Sequence, residues 1–156
     1  MNEPSVELQT PSFENDRLKL LHSNTGDIKI NLANYVTFKV HRHILEGASE
    51  KLKEIFKNTN KVDASRFDYD AIVFWLEHIY ARKKEFPKIG DYGSKYFDAN
   101  IKVFDDLIKL CSISGLKSYE DFLYNYLEEC DKKLKKRSAH YDKLLRVEKV
   151  MRCIIL

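Results

Sequence analysis

The chain has 156 residues, 44% of them hydrophobic and 33% charged, with nine Tyr, nine Phe and one Trp. That composition suits one well-formed core and excludes a disordered or fibrous chain. The net charge of +3 is uneven, because residues 131–156 carry nine Lys/Arg against three acids while residues 1–130 are mildly acidic.

No apolar run approaches the roughly 18–20 residues of a membrane span. The opening Met1-Asn2-Glu3-Pro4 has neither a basic flank nor an apolar segment, so a secretory leader is not expected. Cys111, Cys130 and Cys153 are odd in number and widely spaced. They fit free thiols in a reducing compartment better than disulfides or a zinc site, so a cytoplasmic or nuclear protein is expected.

Taken in chain order, Thr10-Pro11 starts a helix, since proline is tolerated at the first helical position. Phe13, Leu20 and Leu21 then share a face, and Asn24-Thr25-Gly26 ends it. A strand through Leu18-Lys19-Leu20 is the competing reading. Next, Ile28 and Ile30 alternate with Lys29 and Asn31, and Val36, Phe38 and Val40 alternate with Thr37 and Lys39. A period of two predicts a hairpin with one face in a core. Ile44, Leu45, Ala48, Leu52, Ile55 and Phe56 recur at three- and four-residue intervals and predict one amphipathic helix. Lys61-Val62-Asp63 reads as a brief third strand. Asp68 or Asp70 caps a helix burying Ile72, Trp75, Leu76, Ile79 and Tyr80.

Residues 81–100 hold Pro87, Gly90 and Gly93 with no sustained period and read mostly as loop. Tyr92, Tyr96 and Phe97 in it either pin the loop down or offer a partner-specific surface. Phe104, Leu107, Ile108 and Cys111 predict a helix that Gly115 terminates. Ser118-x-x-Asp121 reads as a capping signal for the next, with Phe122, Leu123, Tyr126, Leu127 and Cys130 inward. A last helix is expected from about Ala139, with Leu144, Val147, Met151 and Ile154 on one stripe.

The segments Asp27-Ile28, Phe38-x-Val40-His41-Arg42-x-Ile44-Leu45, Phe74-Trp75-Leu76-x-x-Ile79-Tyr80 and Leu107-Ile108-x-Leu110-Cys111-x-x-x-Gly115-Leu116 come in the order of a BTB/POZ domain. The chain resembles that family from about Gly26 to Cys130. The resemblance implies an α+β fold, a small mixed sheet of about three strands flanked by helical hairpins, here with an extra C-terminal helix. It divides the chain into an N-terminal segment 1–25 with a dimerisation helix, a BTB/POZ-like domain 26–130, and a basic tail 131–156. It also implies protein–protein contacts without chemistry: a homodimer or a docked partner protein. Phe13, Leu18 and Leu21 would meet a second copy together with a neighbouring strand edge, and Asp27 and Arg42 would shape the groove. For Asp27 and Arg42, an acid–base pair and two separately solvated side chains are the alternatives. A cullin adaptor, or a linker like elongin C or Skp, is a further reading. Against it, Lys57-Asn58-Thr59-Asn60-Lys61 lacks the apolar-x-Glu segment of cullin-binding relatives.

His41 is expected to pack its ring and donate one N–H to backbone. His41 and His43, without a nearby Cys or carboxylate cluster, make a weak metal signal. The chain ends Cys153-Ile154-Ile155-Leu156, a C-a-a-X pattern for geranylgeranylation at Cys153. One lipid anchors marginally, and the basic run beside it would supply about 1 kcal/mol per residue at an anionic leaflet. A helix docked on the domain is the alternative, and nucleic-acid binding is disfavoured because the run lacks interleaved aromatics. No phosphate-cradling or nucleophile motif is present and there are five glycines in all. No catalytic residue, metal, cofactor or small-molecule substrate is therefore expected.

Overall fold

The computed structural model describes residues 11–86, 88 and 97–134. They fall into two compact units divided between Glu85 and Phe86. The helix expected from Ala139, the lipidation candidate Cys153, and Tyr92 and Tyr96 lie outside the described residues.

The first unit opens with α1 (Pro11–His22), a helix and not the competing strand. Strands β1 (Ile28–Asn31) and β2 (Thr37–Val40) pair antiparallel, Ile28 opposite Val40 and Ile30 opposite Phe38. Ile28, Ile30 and Val40 are buried as the alternation requires. A short turn, Ala33–Tyr35, joins them. Strand β3 (Lys61–Asp63) adds to the other side of β1 in parallel, giving the order β2-β1-β3. A parallel neighbour needs a crossover, and here two helices supply it.

Those two helices correct the expectation of one. Helix α2 (Arg42–Ala48) stops at Ser49, whose backbone is extended at φ −162° and ψ 158°, and α3 (Glu50–Phe56) begins after it. The Ser49 hydroxyl accepts the Leu52 N–H at 3.0 Å, so a serine cap breaks what the apolar spacing ran through. The reorientation leaves Ile55 41% exposed instead of buried. Helix α4 (Tyr69–Ala81) is capped by Asp68, which accepts the Asp70 N–H at 2.9 Å. It buries Ile72, Trp75, Leu76, Ile79 and Tyr80 as predicted. α1 and α2 both pack against α4.

The second unit is a helical hairpin, α5 (Phe97–Ser114) and α6 (Lys117–Leu134). α5 starts earlier than the loop reading of 81–100 allowed, and Phe97 is 3% exposed in its first turn. Its end is a Schellman motif. Gly115 sits at φ 69°, the Leu116 N–H donates to the Cys111 carbonyl and the Gly115 N–H to that of Ser112. Ser118 is not the cap of α6. The helix begins at Lys117, the Leu116 carbonyl takes the Glu120 N–H, and Phe122 turns partly outward. Tyr119, Leu123 and Leu127 are buried, and Phe86 lies against Tyr126 with ring centroids 4.4 Å apart. Burial, with Glu120 adding, pushes the Cys111 thiol above its ordinary range, which leaves a packed and unreactive sulfur.

Candidate interaction surface

Tyr80 is the node of the first unit. A buried tyrosine needs a partner for its hydroxyl, and this one accepts the His41 backbone N–H at 2.8 Å. Its own proton is then available to His41 Nδ1, also 2.8 Å away. That leaves Nε2 as the protonated ring nitrogen, donating to Thr25 Oγ1 at 3.2 Å. Thr25 in turn donates to Ser23 at 2.7 Å, and Ser23 to the Leu20 carbonyl at 2.6 Å. A directional chain of bonds thus ties α4 to the end of β2 and to the exit of α1. The partners of the His41 ring are hydroxyls, which corrects the expected bond to backbone. Burial of the ring, then repulsion from His43, lowers its pKa, and Asp27 opposes them. Burial likewise pushes Tyr80 up to about 12.

Replacing Tyr80 by Phe is expected to cost about 1 kcal/mol or more, because the His41 N–H loses its acceptor in a half-buried place. Losing the donor to Nδ1 also removes support for the neutral ring. The His41 pKa, followed by NMR, should therefore rise; a change in stability with no movement of that pKa would break the assigned chain of donors.

Arg42 and Asp27 do meet. The Arg42 backbone N–H donates to Asp27 Oδ1 at 2.9 Å, and Nε lies 3.8 Å from Oδ2. The backbone bond is the largest influence holding the Asp27 carboxyl below its usual range. Yet Asp27 is largely exposed, and the guanidinium turns inward. It donates to the carbonyls of Phe56 and Thr59 and to the Asn60 side chain, with Glu46 at 3.7 Å. Orphan carbonyls at the end of α3 find a cation there, so Arg42 staples the start of α2 to the end of α3.

On α1, Leu21 is 2% exposed, and Phe13 and Leu18 are half-buried. The Arg17 guanidinium lies 4.8 Å over the Phe13 ring and donates to the Tyr80 carbonyl at 3.5 Å.

The hairpin tip is different in kind. Asn34 and Tyr35 both have positive φ, 60° and 64°, which bulky L-residues rarely adopt. Tyr35 is fully exposed, Val36 is exposed, and Tyr69 is 50% exposed where it stacks on Phe38 at 5.7 Å. Tyr35 and Val36 lead into β2, Tyr69 reaches Phe38 from the start of α4, and the second edge of β2 is unpaired among the described residues.

Among solved structures, the chain is similar to the BTB domain of zebrafish PATZ1. The TM-score is 0.56 over 81% of this chain and 92% of that one, at 12% sequence identity. The fold is BTB-like. No protein-family model and none of the curated proteins matches the chain. In this BTB-like chain, Phe13, Leu18 and Leu21 share α1, while Asp27 and Arg42 cluster at the start of α2. From the sequence, Tyr80 is expected on a buried helix face and Thr25 at a helix end, but neither these two nor Tyr35 or Tyr69 is expected at the surface described above. The one available signal was Asn34, a residue that tolerates left-handed backbone in a hairpin turn.

Proposed function

We propose that the chain is a non-catalytic protein-docking module that self-associates through the β2 edge and the hairpin tip. The observation that carries this reading is Tyr35, a fully exposed aromatic on left-handed backbone beside a strand whose second edge is unpaired among the described residues. The strain costs the folded chain stability, and the exposed ring gains nothing from folding. A second copy that covers the tip and continues the sheet buries that ring and offsets the strain. Edge strands left open are sites of such pairing, and a two-fold arrangement uses the same patch on both copies. Tyr35, Val36 and the Phe38–Tyr69 stack would be its apolar centre. Phe13 and Leu18 retain some surface on α1, whereas Leu21 is committed to the core. The BTB-like fold supports the reading, since the family resemblance implies protein contacts without chemistry.

Light scattering tests it. A dimer is expected at high micromolar concentration, and a strict monomer there would remove the proposal. The Tyr35→Gly variant separates folding from association. Glycine relieves the positive φ, so the folded chain should gain about 1 kcal/mol in urea melts. Self-association should weaken about tenfold or more, as when an aromatic anchor is deleted. A variant that dimerises as well as the parent would place the interface elsewhere.

A further inference from the structure

The solvent face of the sheet carries a rung of three lysines. Lys39 of β2 and Lys61 of β3 each stand directly opposite Lys29 of β1. Ile28, Ile30 and Val40 point the other way, into the core. Because side chains alternate along a strand, the three ammonium groups leave the sheet on one side. Neighbouring strands lie about 4.8 Å apart, so the three charges span about 10 Å. Like charges placed opposite one another weaken a sheet.

Among the described residues of these strands and their ends, Asp63 and Asp27 flank the rung, and each is engaged elsewhere. Asp63, farther along β3, accepts the Ser65 N–H at 3.0 Å. Asp27, just before β1, accepts the Arg42 N–H and faces its guanidinium. No ion pair among the described residues uses Lys29, Lys39 or Lys61. The adjacent rung is Thr37, Asn31 and Asp63. Thr37 donates to Asn31 Oδ1 at 2.9 Å, which leaves the Asn31 amide N–H groups to donate outward.

We infer that this rung docks an acidic polypeptide segment of a partner protein. The inference rests on the docking-module reading and adds the chemistry of the partner, on a face of its own. Carboxylates in an extended chain would relieve the lysine repulsion, and Asn31 would take a carboxylate or peptide oxygen beside them. Neither rung carries an aromatic side chain, so the three cations make a poor nucleic-acid platform. With no apolar side chain in either rung, these six residues also lack what a bilayer contact needs.

The test is fluorescence anisotropy of a labelled poly-Glu peptide with the full chain, comparing wild type with the combined Lys29→Gln, Lys39→Gln and Lys61→Gln variant. The basic segment 131–156 is identical in both, so any difference between them belongs to the rung. The variant should bind about tenfold or more weakly, and its melting temperature should hold or rise because the repulsion is gone. Lys29→Gln alone removes the central charge and should bind about threefold more weakly, which keeps the test open if the combined variant folds poorly. Equal peptide binding by wild type and variants overturns the inference. So does a larger loss for a single-stranded oligonucleotide or phosphatidylserine vesicles than for the peptide. Light scattering on the same samples separates the two ideas: a dimer with unchanged peptide binding removes the lysine site and leaves self-association standing, whereas a monomer that binds the peptide through the rung does the reverse.

Discussion

Replacing Gly26 by Ala is expected to destabilise the first unit by about 3 kcal/mol or more, the upper end for forced overpacking. A Cβ built at this position would stand 2.1 Å from the Val40 carbonyl oxygen and 2.6 Å from Val40 Cα. Those are backbone atoms of β2, so no flexible side chain can move aside. Gly26 does not have positive φ, unlike Gly115. The requirement is therefore space between two backbones and not an unusual dihedral. Making room must push β2 away from β1 where Val40 faces Ile28, and both of those side chains are buried. It also displaces His41, the next residue, from the Tyr80 hydroxyl. Gly47 is the control: nothing lies within 4 Å of its added Cβ, and it sits in helix α2. Gly47→Ala should stabilise by about 0.5–1 kcal/mol. Urea unfolding followed by Trp75, the single tryptophan and a core residue of α4, reports both. Two alanine variants with similar midpoints would show that β2 yields at Gly26 without cost.

The contrast shows what could be read from the chain. The hairpin was legible because burial on one face forces alternation, and four-residue strands at 28–31 and 37–40 satisfied it except at Val36, which precedes β2 and is exposed. Helix α4 was legible because its apolar stripe and its Asp68 cap agree. The α2–α3 break was not, since Ile44, Ala48, Leu52 and Phe56 keep helical spacing across Ser49. Only the serine's bond to the Leu52 N–H decides between one helix and two, and a serine in a helical pattern is as often solvated. Gly26 reads in sequence as a helix stop; its true constraint comes from Val40, fourteen residues away. Arg42 shows the same limit. A carboxylate partner such as Asp27 has a sequence identity, but the carbonyls of Phe56 and Thr59 are generic. Tyr80 was placed on the buried face correctly, and its hydroxyl's role depends on a histidine 39 residues earlier. Contacts within an element leave a pattern, whereas contacts closed by the fold leave almost none.

Acid should expose a second such contact, at His78 near the end of α4. Its Nδ1 lies 3.1 Å from the Lys83 carbonyl, and Arg82 and Lys84 are close by. Burial is the main cause that lowers its pKa from 6.5 to about 4; the two cations add to it, and the bond to Lys83 opposes it. In the unfolded chain the ring takes its proton near pH 6.5. Between those two values the unfolded state binds more protons, so stability falls as the pH falls. His78's contribution is intact above about pH 6.5 and is lost progressively down to pH 4, by about 3 kcal/mol in all. Asp27 and Asp63 also have lowered values, but from 3.8, so their losses come below this window. His41, also lowered, contributes within it, and comparison with a variant removes that overlap. His78→Asn keeps a donor for the Lys83 carbonyl and does not titrate. Wild type should therefore lose about 3 kcal/mol more than the variant between pH 7.5 and 4, read from Trp75 in urea. Parallel curves would mean that the ring protonates in the folded chain as readily as in water, and that the end of α4 opens to solvent.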